Sequence, residues 1–147
     1  MAVVNLTHID TLRREGYRKS PELTKYKGQL LTRIENYLDD RLAIITIPWE
    51  EIEKYSPLYN PSMLVIDDMR LIENNTLALA FKVYKDGRIT AKIRANYGYP
   101  IAAKLAEHFG GGGHEYASGF KTTSYSLEDL KKDVVSAVNK LLEENKQ

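Results

Sequence analysis

Four consecutive glycines, Gly110, Gly111, Gly112 and Gly113, run directly into His114. One glycine suffices to end a helix. Four in a row cost backbone entropy on folding and call for a compensating role. Glycines let a ligand approach the main chain closely, and successive N–H groups can form a nest for an anion. His114 can donate to a phosphate oxygen, and Arg94 offers a planar fork suited to phosphate. The pattern is neither the dinucleotide fingerprint nor the P-loop, because both place their glycines before a helix and these follow one. The helix dipole at that end disfavours an anion, so local N–H groups and His114 must outweigh it.

The elements around these residues must position them. Residues 76–84 and 88–95 alternate apolar and polar, and Lys85-Asp86-Gly87 joins them as a hairpin. A two-residue loop would pair Val83 with Thr90 and Phe81 with Lys92, mixing apolar and basic side chains. A three-residue loop with Gly87 left-handed pairs Val83 with Ile89, Phe81 with Ala91 and Leu79 with Ile93, and burial selects that register. The other face then carries Arg88, Thr90, Lys92 and Arg94, with the small Ala80 and Ala78 opposite Lys92 and Arg94. The result is a basic strip beside a shallow floor. A helix from Tyr99-Pro100 through Phe109, with Ile101, Leu105 and Phe109 in a stripe, leads into the glycines. Ten helical residues span ~15 Å. Arg94 and the glycines therefore form one compact site only if this helix crosses the sheet obliquely; otherwise they bind different parts of an extended ligand.

The remaining elements complete a sheet with helices packed on it. Ser20-Pro21-Glu22 starts a helix with Leu23, Leu30, Ile34, Tyr37 and Leu38 on its apolar face. Residues 42–47 are a β-branched run, and a short helix follows Pro48. Residues 62–72 have helical spacing, Asn74-Asn75 is a turn, and residues 116–122 read as a strand. Ser126 to Asp129 caps a final amphipathic helix with Leu130, Val134, Val138 and Leu141 inward. The expected class is α/β: a single domain with a mixed β-sheet of about four to five strands. Residues 1–19, with Arg13, Arg14, Arg18 and Lys19 around Gly16, read as a linker or arm, and residues 20–147 as the domain.

Composition narrows the chemistry. The chain has 147 residues, 43% hydrophobic and 28% charged, enough apolar content for a core and too much for disorder. It has no cysteine, which excludes disulfides, thiolate metal sites and a cysteine nucleophile. The net charge is +1, so any phosphate recognition must rest on a few placed residues. No uninterrupted apolar run reaches the ~18 residues of a membrane span, and the N-terminus does not resemble a signal peptide, so a cytoplasmic location is expected. Asp67-Asp68, Asp39-Asp40 and His8-x-Asp10 are isolated pairs rather than a metal-ligand constellation. Tyr97, Tyr99 and Tyr116 fit base stacking or, more simply, packing.

The stretch Phe109-Gly110-Gly111-Gly112-Gly113-His114-Glu115-Tyr116-Ala117-Ser118-Gly119 resembles the GGGGHxxAAG signature of the DHH-associated C-terminal domain. That domain follows the catalytic DHH domain in phosphoesterases such as oligoribonuclease/pAp phosphatases and cyclic-dinucleotide phosphodiesterases. The resemblance covers residues 42–142. It implies binding of a nucleotide or nucleic-acid end for hydrolysis at a manganese site on the DHH domain. Gly110, Gly111, Gly112, Gly113 and His114 match the binding motif, and Ser118 stands where alanine is common. Arg94 matches the arginine of the family's S-x-R-S strand motif, whose serines are replaced by Lys92 and Ala95. The expected substrate-binding set is therefore Lys92, Arg94, the four glycines, His114 and Ser118. No Asp-His-His occurs in the sequence.

The resemblance implies no cofactor on this chain, a DHH domain as partner, and a short RNA or DNA oligonucleotide, pAp or a cyclic dinucleotide as ligand. It leaves a homodimer open. A non-catalytic regulatory module that binds a cyclic dinucleotide or a tRNA end is the alternative.

Overall fold

The computed structural model describes residues 19–146, so the expected arm, apart from Lys19, lies outside the described residues. Eleven elements follow one another: α1 (Pro21–Thr32), β1 (Glu35–Tyr37), β2 (Leu42–Ile47), α2 (Trp49–Tyr55), α3 (Pro61–Arg70), β3 (Leu77–Val83), β4 (Ile89–Ala95), α4 (Ala102–His108), β5 (Gly112–Gly113), β6 (Ala117–Thr122) and α5 (Leu127–Asn145). The strands form one mixed sheet in the order β1-β2-β3-β4-β6-β5. Among the described residues only β2 and β3 pair in parallel, joined by the α2–α3 crossover. Among the described residues no helix is long and apolar enough to cross a membrane.

Two cores sit on opposite faces. On one, Ala43, Ile45, Ile47, Ala78 and Ala80 pack under α1, α2 and α3 through Leu23, Tyr26, Leu30, Ile52, Leu64 and Met69. On the other, Leu79, Phe81, Ile89, Ala91, Ile93 and Phe120 pack under α4 and α5 through Leu105, Val134 and Val138. Among the described residues the helices on the first face lie over β2 and β3, and α3 also borders β4. The same face of β6 and β5 carries no described helix.

The hairpin has the expected register: Val83 faces Ile89, Phe81 faces Ala91, Leu79 faces Ile93, and Ala80 and Ala78 face Lys92 and Arg94. Gly87 has φ +89°, as that turn requires. The caps also agree. Ser20 Oγ accepts from Leu23 N–H and Ser126 Oγ from Asp129 N–H, each at 3.2 Å.

Three expectations need correction. The first helix does not reach Leu38. It ends at Thr32, and residues 35–37 form the edge strand β1 against β2. Arg33 caps the helix, its N–H still bonded to Leu30 C=O, and its guanidinium makes a two-pronged pair with Glu51 on α2 at 2.8 and 2.9 Å. Leu38, Asp39 and Asp40, all with positive φ, then turn the chain. The helix before the glycines spans only Ala102–His108, because Tyr99-Pro100-Ile101 forms a turn closed by Ile101 N–H to Tyr99 C=O at 2.7 Å. In α5 the fourth buried position is Leu142, with Leu141 only partly buried.

Candidate functional site

The glycine run is itself a strand. After α4 ends, Gly112 and Gly113 pair with Gly119 and Ser118 of β6. β6 in turn pairs with β4, placing Lys92 opposite Gly119 and Arg94 opposite Ala117. His114 and Ala117 exchange backbone hydrogen bonds at 2.7 and 3.3 Å, so they are directly opposed. Residues opposed across a ladder share a face. One row therefore runs Ala78, Arg94, Ala117, His114, and the next runs Ala80, Lys92, Gly119, Gly112. At ~4.8 Å between strands, Arg94 and His114 lie ~10 Å apart on one surface. The helix does not need to cross the sheet obliquely, because the chain folds back along β6.

The individual glycines do different things. Gly110 has φ +83° and ends α4; its N–H bonds Glu107 C=O, and the Gly111 N–H bonds Ala106 C=O. These two amides satisfy the helix end, so the expected anion nest does not form from them. A Cβ on Gly111 would meet the Gly119 carbonyl and lie 2.5 Å from Phe120 Cβ. On Gly113 it would lie 2.6 Å from Ser118 Cα, and on Gly119 it would lie 2.7 Å from the Ala91 carbonyl oxygen. At Gly112 alone among the three glycines after the cap, a Cβ would meet nothing within 4 Å. Bonded and non-bonded pairs alternate in an antiparallel ladder, so Gly113, next to the bonded His114–Ala117 pair, turns its N–H away from β6 toward the free edge.

The face is cationic. Arg94 is half-buried, and one of its terminal nitrogens donates to its neighbour Ile93 C=O at 2.9 Å. Lys92 Nζ lies 3.3 Å from Met63 Sδ, at the α3 wall of the strip. Burial pulls the Lys92 amine below its ordinary range, and the neighbouring Arg94 charge adds to that. In the third row Thr90 lies between Lys82 on β3 and Lys121 on β6. His114 is exposed. Among the described residues none of Lys82, Lys92, Arg94 and Lys121 forms an ion pair. Ala78 and Ala80, expected as the floor of the strip, are instead buried beneath the helices. The accessible floor is Ala117, Gly119 and Gly112, and unpaired cations beside it suit a flat anionic ligand.

Ser118 is not on this face. It is buried, and its hydroxyl donates to Ala102 C=O at 2.6 Å, tying β6 to α4. Lys82 and Lys121 were missed in the sequence, although alternation from Ala80 and Gly119 places both on the basic face.

Two larger depressions lie elsewhere. One of about 750 Å³ between β1 and α5 contains Lys131, already paired with Glu35 at 2.6 Å. One of about 720 Å³ at the sheet end is lined by Arg41, Asn74, Tyr97 and Tyr99. Tyr97 and Tyr116 stack there, with ring centroids 6.2 Å apart. Neither contains the motif residues. Among the described residues no three His, Asp or Glu side chains gather in a group that could hold a metal ion.

The fold has counterparts among solved structures. An exopolyphosphatase-related protein from Bacteroides fragilis superposes with a TM-score of 0.76 at 24% identity, over 91% of this chain and 40% of its own. The pGpG-specific phosphodiesterase PggH from Vibrio cholerae superposes with a TM-score of 0.56 at 15% identity, over 79% of this chain and 38% of its own. The chain thus spans about two fifths of the length of either. No curated protein sequence matches it. The DHHA1 domain pattern matches residues 60–144, from the start of α3 into α5, and encloses the whole basic face. With more than half its length matched, the chain belongs to the DHHA1 domain family.

Proposed function

We propose that this chain binds the end of a short oligonucleotide, or a phosphorylated nucleotide, across the open face of β4, β6 and β5. Arg94 holds one phosphate through its planar fork, with Lys92 adding attraction. His114 and the outward N–H of Gly113 contact a second phosphate or the sugar-phosphate edge. Gly112 and Gly119 keep the floor low enough for the ligand to lie against the backbone. The observation that carries this reading is the row Arg94–Ala117–His114: two phosphate-binding side chains share one surface with no carboxylate paired to either.

Hydrolysis belongs to a DHH catalytic domain and its manganese, and this chain presents the substrate to that centre in the cytoplasm. The chain's own residues bind and orient; none of them is assigned a bond-breaking role. The similarity in fold to a pGpG-specific phosphodiesterase supports a phosphodiester ligand.

Calorimetric titration of the full chain with a short oligonucleotide, pAp and cyclic di-AMP tests the assignment. Binding of at least one, weakened tenfold or more by both Arg94→Ala and His114→Ala, is expected. Unchanged affinity in both variants overturns it. Tight binding of cyclic di-AMP alone would favour the regulatory alternative. Manganese-dependent cleavage by the chain alone would contradict the division of labour.

A further inference from the structure

The basic face continues beyond the Arg94–His114 row. Lys82 and Lys92, with Asn60, Ser62, Tyr84 and Thr90, line a separate small cavity of about 190 Å³ between β3, β4 and the start of α3. Both amines are half-buried and reach only neutral atoms. Lys82 Nζ donates to Asn60 Oδ1 at 2.6 Å, and Lys92 Nζ meets Met63 Sδ at 3.3 Å. Burial lowers both amines, and the Lys92 charge presses further on Lys82. Two like charges taken from water without a counter-ion are unfavourable for the fold. An anion seated between them reverses that balance.

We propose that this cavity is an additional phosphate subsite, in which Lys82 and Lys92 together take a phosphate of the same ligand that Arg94 and His114 hold. The proposal rests on the binding of phosphorylated nucleotides to this face. The Thr90 and Arg94 rows are four residues apart along β4, or ~13 Å. The cavity reaches from the Thr90 row to the Lys92 row, and the Lys92 row is only two residues, ~7 Å, from Arg94, a spacing that two phosphates on either side of one nucleoside span. Lys82 is then a specificity-determining residue, favouring ligands with the additional phosphate over those without it.

Titrating the full chain with a dinucleotide carrying a 5′-phosphate and with the same dinucleotide lacking it tests this. The unsubstituted protein is expected to prefer the phosphorylated form tenfold or more. Lys82→Gln removes the charge while keeping a neutral amide donor and is expected to abolish that preference, with affinity for the unphosphorylated form within twofold. Lys82→Arg keeps the charge and is expected to retain the preference. An undiminished preference in Lys82→Gln overturns the subsite, as does an equal loss for both ligands. If Arg94→Ala changes binding of neither ligand, the face itself is wrongly assigned, which is a separate failure.

Discussion

Within the glycine run, Gly112 separates binding from scaffold. Gly111 and Gly113 stand where a Cβ would collide with β6, whereas a Cβ on Gly112 would project into open space. Gly111→Ala and Gly113→Ala are each expected to lose about 1–3 kcal/mol of stability, the usual cost of forced overpacking. Gly112→Ala is expected to stay within about 0.5 kcal/mol of the parent, as surface changes do. Gly112→Val is expected to melt like the parent yet bind oligonucleotide at least tenfold more weakly. Denaturant melts and titrations on the three positions check the ranking. Binding by Gly112→Val at parental affinity would remove Gly112 from the floor. The prominence of the run was legible in the sequence. Its division of labour was not, because it depends on how closely β6 approaches, a tertiary distance. Arg94 and Lys92 were legible through period-two alternation. Ser118 was misplaced because motif position says nothing about which face a strand residue occupies.

At the level of elements, β3, β4, β6, α3 and α5 were readable because each pairs strong periodicity with a turn or cap signal. β1 and β5 were not. Both are edge strands of two or three residues, too short to show a period. The end of α1 was missed because residues 35–37 pair with β2, a non-local contact that local spacing cannot reveal; just before them Arg33 reaches Glu51, eighteen residues on. The same carboxylate accepts from Tyr26 Oη at 2.7 Å. Burial, then the Glu51 hydrogen bond, raises the Tyr26 phenol well above its ordinary value. The folded state therefore keeps this proton after the unfolded chain has released it. The associated stability is complete below the unfolded value of about 10 and declines as pH rises beyond it. Urea melts at rising alkaline pH are expected to show a steeper loss of stability in the parent than in Tyr26→Phe. The difference should approach 1.4 kcal/mol per pH unit. Parallel slopes would contradict the buried phenol–carboxylate pair.

Across the whole molecule, a net charge of +1 conceals a segregated surface. Lys82, Lys92, Arg94, His114 and Lys121 share one open half-face, while Glu51 and Glu35 are paired with Arg33 and Lys131 elsewhere. The sequence fixes the charge total, but only the strand order β4-β6-β5 brings the cations together. Two or three phosphate contacts on a single strand imply a salt slope near −0.7 per contact. A fourfold rise in salt is then expected to weaken oligonucleotide binding about tenfold. Affinity indifferent to salt would exclude this strip as the contact surface.

The most direct measurement is amide chemical-shift mapping of the full chain during titration with a 5′-phosphorylated dinucleotide. The largest shifts are expected at Lys92, Arg94, Gly112, Gly113 and His114, with α5 and the β1 edge unmoved. Shifts centred on the β1–α5 groove or on the Arg41–Tyr97 end of the sheet, with Arg94 and His114 silent, would contradict the account.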